Sequence, residues 1–150
     1  MSKELTEIAG CKLVNLETLL KESDFVSLNA RETPETFHIM STMQFEQMKP
    51  TATIINTARG SLIDEPALVE ALREGKIAAA ALDVYEDEPL KPDNPLLGFT
   101  NVTITPHTAG ASDRMRERSV FLTAELIGRY LRGDRITSMD VMNLEILKED

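Results

Sequence analysis

The sequence has no tryptophan, only one cysteine and no long apolar run. The lone Cys11 cannot form an intramolecular disulfide bond, which is typical of proteins in the reducing cytoplasm. No apolar run approaches the roughly 20 residues of a membrane span, and the opening residues MSKELTEIAG lack the apolar core of a signal peptide. We therefore predict a cytoplasmic chain.

Positive charge is also scarce, since 16 Lys and Arg residues stand against 25 Asp and Glu residues and the formal net charge is −9. Surfaces that bind nucleic acid or anionic membranes need clustered Lys and Arg side chains. We therefore expect neither partner. The 150 residues, of which 42% are apolar, suffice for about one domain with a largely aliphatic core.

Short apolar runs alternate with helical patterns along the chain, which is typical of a parallel α/β sheet. Strands are expected at residues 11–14 (an edge strand), 25–28, 53–56, 77–84 and 102–105. Helices are expected at residues 16–22, after Thr33-Pro34, from the capping box Ser41 to Gln44, from Asp64 to Glu74, and from Ser112 or Asp113 to Arg132. An apolar pattern at residues 141–147 predicts a docking segment.

Unusual residues lie at the ends of four predicted strands, and ligands of open parallel sheets bind beyond these carboxyl ends. They are Asn29, the run Thr57-Ala58-Arg59-Gly60, Asp83 and Pro106-His107. Each also admits a structural interpretation: Arg59 could be a solvated charge, Asp83 a loop cap, and His107 a partner of a backbone carbonyl. The acidic run 86–88 could face solvent, and His38 is assigned to the surface.

Three consecutive segments resemble, in order and spacing, motifs of the D-2-hydroxyacid dehydrogenase family. They are NTARGSLIDEPALVEAL (56–72), AAALDVYEDEP (79–89) and NVTITPHTAG (101–110), with SDFVSLNARETPET (23–36) and the tail VMNLEIL similar to further segments. The family includes phosphoglycerate and D-lactate dehydrogenases and glyoxylate and hydroxypyruvate reductases. The resemblance implies an oxidoreductase that transfers hydride between a small 2-hydroxy acid and NAD or NADP.

The resemblance also implies catalytic roles. Arg59 corresponds to the arginine that binds the substrate carboxylate, for which a planar bidentate donor suits better than lysine. His107 corresponds to the general acid/base that exchanges the proton of the C2 oxygen. Glu88 corresponds to the carboxylate that orients this histidine, with Glu86 as the rival in the same run. No metal is expected.

The same resemblance implies cofactor contacts. The predicted cofactor-binding residues are Ala30, Arg31, Thr57, Ala58, Asp83 and Gly110. Asp83 would accept a hydrogen bond from the nicotinamide carboxamide. The run 29–32, Asn-Ala-Arg-Glu, replaces the His-x-Pro-Leu type of run that usually lines the cofactor in the family.

One family motif is absent, because the sequence has no Gly-x-Gly-x-x-Gly for the cofactor's pyrophosphate. In the family this motif belongs to the first two strands of the nucleotide-binding sheet. We therefore predict an incomplete doubly wound, Rossmann-type parallel sheet flanked by helices that lacks those strands. Residues 1–133 would form a partial NAD(P)-binding domain, and residues 134–150 a linker and docking segment.

A C-terminal half of such an enzyme would leave the strand at residues 25–28 with an open edge, which favours self-association. We also expect the first 20 or so residues to be loosely held. The expected partner is a second copy in a homodimer or a complementing N-terminal half, with little turnover by the chain alone. The alternatives are a non-catalytic interaction module like the corepressors of this fold, and the remnant of a truncated gene.

Overall fold

The computed structural model describes residues 10–137, and four parallel strands within them form one sheet. The strands are β1 (Phe25–Leu28), β2 (Thr53–Asn56), β3 (Ala79–Leu82) and β4 (Val102–Ile104), and they lie side by side in chain order. Asn56 is level with both Leu28 and Leu82, so the carboxyl ends of β1, β2 and β3 meet at one edge. The predicted incomplete doubly wound sheet is confirmed.

The α-helices in the described residues are α1 (Leu16–Glu22), α2 (Thr42–Phe45), α3 (Glu65–Arg73) and α4 (Asp113–Leu131), and 3-10 turns lie at Gly60–Leu62 and Pro95–Gly98. Predicted caps begin the helices. The Asn15 side chain accepts from the Thr18 N–H at 2.8 Å, and the Asp64 side chain accepts from the Ala67 N–H at 3.1 Å. These bonds satisfy backbone donors that have no partner inside the helix.

Two predicted elements are wrong. Residues 11–14 form no strand and are exposed, because the described sheet offers them no neighbour to pair with. The chain after Thr33 makes a turn instead of a helix: the Thr36 hydroxyl accepts the Thr33 N–H at 2.8 Å and donates to the Arg31 carbonyl at 2.7 Å. The left-handed backbone of His38, with φ at +50°, prevents a helix from continuing.

The chain divides into two compact units, Met1–Ala109 and Gly110–Asp150. The sheet lies in the first unit, where Ile54 of β2 and Leu82 of β3 are buried, as are Leu68 and Leu72 on one face of α3. Burying each such leucine contributes about 1.5–3 kcal/mol relative to an exposed position. The aliphatic core therefore fixes β2 and β3, the two strands at the centre of the sheet.

The second unit contains α4, which has no buried residue. The Ser112 side chain accepts from the Met115 N–H at 3.2 Å and begins the helix, and Gly133 follows its end with φ at +76°. Across residues 10–137 no helix combines the length and the apolar character needed to cross a bilayer. The domain boundary at residue 133 stays a prediction, and the docking pattern at 141–147 lies outside the described residues.

Candidate active site

A histidine and a glutamate meet beyond the carboxyl ends of β3 and β4. His107 Nδ1 lies 2.7 Å from Glu88 Oε2, and Glu88 Oε1 accepts from the Tyr85 N–H at 3.2 Å. The hydrogen bond from His107 lowers the pKa of Glu88 below its ordinary value, against the opposing effect of burial. Because a carboxylate only accepts, the hydrogen lies on Nδ1, and Nε2 is left to exchange a proton with another molecule.

The backbone around His107 fixes the position of its ring. The residue has a φ of +52°, a left-handed conformation that is energetically unfavourable for a residue with a Cβ atom. Its N–H donates to the Asp83 carbonyl at 2.9 Å. The Asp83 carboxylate then accepts from the Thr108 N–H at 2.9 Å and from the Ala109 N–H at 2.8 Å. These bonds maintain the strained turn that presents the imidazole.

Asp83 is therefore an anchor of the His107 loop. Burial would raise the pKa of Asp83, but hydrogen bonds from the Thr105 hydroxyl and from the N–H groups of residues 108 and 109 outweigh this effect, and the pKa lies below its ordinary value. The carboxylate is 3% exposed and accepts three hydrogen bonds within the protein. A carboxylate has about four acceptor sites, so these three bonds leave one site over. The contact of this site with a nicotinamide carboxamide stays a prediction.

A buried amide organises the loop that bears Arg59. Asn56 is fully buried, its Nδ2 donates to the Arg59 carbonyl at 2.8 Å, and its Oδ1 accepts from the Ala58 N–H at 3.0 Å. Within residues 10–137, the exposed Arg59 guanidinium makes one bond, from Nη1 to the Ala58 carbonyl at 2.7 Å. A guanidinium has five N–H donors, so most of its donors remain available for an anionic ligand.

At Gly60 the Arg59 loop packs closely against the loop that bears Glu88. A Cβ atom at Gly60 would lie 1.9 Å from the carbonyl carbon and oxygen of Tyr85 and 2.5 Å from the Glu86 nitrogen. The Tyr85 hydroxyl is within bonding distance of the Thr105 carbonyl at 2.7 Å and of the Leu82 carbonyl at 3.0 Å. The backbones of the two loops are thus in direct contact, and Tyr85 also ties its loop to the end of β4.

Two cavities open among these loops. One has a volume of about 450 Å³ and is lined by residues 29–32 and 57–59. The other, of about 480 Å³, is lined by Glu88 and His107 together with apolar groups that include Leu90 and Ile104. The first cavity gathers four predicted cofactor residues with Arg59. Glu88 and His107 are in contact and line the second cavity, whereas Arg59 lines the first.

The charges of the first cavity favour an anionic group. Its lining has two guanidinium groups, Arg31 and Arg59, and one carboxylate, Glu32, so an anionic ligand is favoured. The sequence contains no glycine-rich motif for a pyrophosphate, and the nicotinamide contacts of Thr57 and Ala58 stay predictions. Gly110 is the first residue of the second unit, and its cofactor role stays a prediction.

Several residues of the site were missed by sequence reasoning. Asn56 had a local signal, since a polar side chain ends an aliphatic strand at a position that faces the core. Tyr85 and Thr105 had none, because their contact joins positions that are 20 residues apart. Between the two rival glutamates, Glu88 contacts His107, and Glu86 pairs with the half-buried His38.

The lowered pKa of Glu88 predicts how the stability of the fold changes as the pH falls. A carboxyl whose pKa is lower in the folded state stabilises the fold above its unfolded pKa, and this contribution is lost as pH falls through the folded pKa. We expect wild type to lose stability below about pH 4.3, the ordinary glutamate value, and Glu88→Gln to lose less. Urea midpoints from about pH 7 to pH 3 measure this; parallel curves for both proteins would contradict it.

The sequence model of the D-isomer specific 2-hydroxyacid dehydrogenase, NAD binding domain, matches residues 2–109. The chain belongs to this dehydrogenase family. The glyoxylate reductase of Korarchaeum cryptofilum (strain OPF8) is 45% identical over 139 residues, which are 93% of this chain and 41% of that protein. This member of the family thus spans about two fifths of the length of a curated relative.

Solved structures of dehydrogenases agree with the fold. The D-isomer specific 2-hydroxyacid dehydrogenase of Lactobacillus delbrueckii ssp. bulgaricus, in its NAD complex, superimposes with a TM-score of 0.77 at 33% identity, covering 83% of this chain and 42% of that one. The family member from Xanthobacter autotrophicus Py2, in complex with NADPH and MES, gives 0.72 at 38% identity, covering 81% and 49%. Those two proteins therefore bind different nicotinamide dinucleotides on the same fold.

Proposed function

We propose that this chain supplies the catalytic side of a dehydrogenase that interconverts a small 2-hydroxy acid and its 2-oxo acid with NAD(H) or NADP(H). The observation that carries the proposal is the 2.7 Å contact between His107 Nδ1 and Glu88 Oε2. It leaves the opposite ring nitrogen available and sets its tautomer, as general acid–base catalysis requires. Membership of the dehydrogenase family supports the same activity.

His107 moves the proton of the reaction. In the direction of reduction, protonated His107 donates its Nε2 hydrogen to the substrate's C2 oxygen, and in the direction of oxidation the neutral ring accepts it back. The Glu88 carboxylate accepts the hydrogen bond from Nδ1 and keeps the ring oriented. The bound nicotinamide cofactor supplies or accepts the hydride at C2.

Arg59 binds the substrate carboxylate. Its planar guanidinium offers two parallel donors, which match the two oxygens of a carboxylate. The buried Asn56 amide fixes the backbone from which the guanidinium extends. The residues proposed to contact the cofactor are Ala30, Arg31, Thr57, Ala58, Asp83 and Gly110.

The proposal includes a partner that completes the cofactor site, because the sequence has no glycine-rich motif for the pyrophosphate. Strand β1 has a single neighbour in the described sheet, and Phe25 on it is 72% exposed. Such an edge can pair with a complementing N-terminal segment or with a second copy in a homodimer. A cytoplasmic location and a domain boundary near residue 133 belong to the same proposal.

A chimera tests the proposed activity. The 139 aligned residues of the K. cryptofilum glyoxylate reductase are replaced by the matching residues of this chain. We expect the chimera to oxidise NADH or NADPH in the presence of glyoxylate, hydroxypyruvate or pyruvate, measured by the loss of reduced-nicotinamide absorbance. A folded chimera that is inert with all three acids, alongside an active parent enzyme, would refute the proposal.

The Arg59→Lys variant of the chimera tests the carboxylate contact. An ammonium group cannot make the bidentate contact, so we expect a loss of about 1.5–3 kcal/mol, or roughly 10–160-fold in kcat/KM, mainly through a higher KM for the acid. Steady-state kinetics measure this. Arg73→Lys, on an exposed arginine that pairs with Glu70, is the matched control and should leave both constants unchanged. Equal KM values for wild type and Arg59→Lys would contradict the assigned role.

A further inference from the structure

The two histidines of the chain share an unusual local structure. His38 has a φ of +50° and His107 a φ of +52°, and they are the only non-glycine residues of the described chain with positive φ. Glu86 and Glu88 belong to one loop, and each contacts a histidine: His38 contacts Glu86, and His107 contacts Glu88. A strained backbone persists only where its surroundings enforce it, and such strain is concentrated at functional positions.

The backbone at His38 is tied to the loop that follows Arg59. The His38 N–H donates to the Ser61 carbonyl at 2.8 Å, and two residues later the Met40 N–H donates to the Leu62 carbonyl at 3.0 Å. The ring stacks on Phe37 with centroids 3.9 Å apart and an interplanar angle of 18°. Backbone and ring of His38 are therefore both held, which leaves Nε2 directed at the Glu86 carboxylate.

Both the side chain and the backbone of Glu86 have hydrogen-bond partners. Its side chain contacts His38 Nε2, and its N–H donates to Glu65 Oε1 at 2.7 Å. Its backbone nitrogen also lies against Gly60, at a distance that leaves no room for a Cβ. Glu86 therefore stands between the Arg59 loop and Glu88, two residues further along the chain.

We infer that His38 is a positioning residue which, through Glu86, sets the loop bearing Glu88 and hence the orientation of His107 relative to Arg59. The inference rests on the proposed function, since it assigns His38 a task in that reaction. Both side chains of the pair are about one-third exposed, at 31% and 32%, and a single partly exposed hydrogen bond contributes little to folding. The effect of the pair is thus on the placement of Glu88 and the geometry of the site.

The inference predicts a defect in turnover. His38→Ala frees the Glu86 carboxylate and lets the loop shift, and small displacements of catalytic groups lower rates strongly. In the chimera we expect kcat to fall about tenfold or more while the KM for the cofactor stays unchanged. His38→Gln, whose amide can still donate to Glu86, should recover most of the rate. His38→Asn, which tolerates a positive φ but is too short to reach, should not.

The control is Asp87→Asn, which breaks the exposed Lys91–Asp87 pair on the neighbouring residue of the same loop. It should leave kcat unchanged. If the chimera is active and His38→Ala lowers only its melting temperature, or if Asn restores the rate as well as Gln, the positioning role is rejected.

Amide hydrogen exchange on the complete 150-residue chain decides the inference independently of activity. The Tyr85 and Glu86 N–H groups are bonded to the carboxylates of Glu88 and Glu65. We expect both amides to exchange at least several-fold faster in His38→Ala and at the wild-type rate in Asp87→Asn. Unchanged exchange in His38→Ala would overturn the inference even with an active chimera. Faster exchange with an inert chimera would instead remove the proposed function and leave the structural coupling.

Discussion

His107→Gln in the chimera should reduce kcat/KM for the 2-oxo acid by about 10²–10⁴-fold, the usual range for removing a general acid or base. Glutamine preserves a polar side chain of similar size but cannot be protonated at neutral pH. The substrate's C2 oxygen would then have to take its proton from water. Steady-state NADH oxidation at saturating cofactor measures the effect, and KM for the cofactor should change little.

Glu88→Gln should lower the rate less than His107→Gln does. A glutamine carbonyl can still accept from His107 Nδ1, at 2.7 Å in wild type, so the tautomer is preserved while the negative charge is lost. We expect a loss of roughly tenfold, because hydrogen bonds to charged groups exceed neutral ones by about 1 kcal/mol or more. His107 is half exposed, so neither change should unfold the protein. A His107→Gln chimera with near wild-type turnover would exclude His107 as the acid/base.

Elements whose limits depend on local chemistry were predictable from the sequence. Helix α3 begins directly after Asp64, whose side chain accepts from the Ala67 N–H, and ends at Arg73, shortly before Gly75 with its φ of +67°. Strand β2 is an aliphatic run bounded by Pro50 and Gly60. In each case the residue that starts or stops the element acts on its immediate neighbours.

Elements that depend on distant partners were not predictable in the same way. Residues 11–14 have the apolar character of a strand, but a strand needs a neighbour for its backbone groups, and the described sheet provides none. The cap and proline at Thr33-Pro34 have the pattern of a helix start, and the Thr36 hydroxyl redirects the chain into a turn. Local preference is a weak constraint where a competing hydrogen bond is available.

The same distinction between local signals and distant partners applies to the candidate site. The motifs pointed to Glu88 and His107 as partners, and these two side chains are in contact. The pairing of His38 with Glu86 joins residues 48 positions apart, and no periodicity or spacing indicates it. A parallel sheet brings loops from well-separated segments to one edge, so such pairs become visible only once the strand order is known.

Gly60→Ala should destabilise the protein by more than about 3 kcal/mol, the upper end of the usual cost of overpacking. The new methyl group would lie 1.9 Å from the carbonyl carbon and oxygen of Tyr85. Backbone atoms cannot rotate away as a flexible side chain can, so one of the two loops must move. Urea denaturation of the complete chain measures the loss as a lower midpoint.

Gly98→Ala is the matched control, since a Cβ at Gly98 meets nothing within 4 Å and the residue is exposed. Its effect should stay within about 0.5 kcal/mol. The clash at Gly60 acts on the backbone between Tyr85 and Glu86, and the Tyr85 N–H bonds to Glu88. Any Gly60→Ala protein that remains folded should therefore also lose turnover, because displacing this backbone displaces the carboxylate behind His107. Equal midpoints for Gly60→Ala and Gly98→Ala would show that the two loops can separate at little cost, and that their contact does not set the geometry of the site.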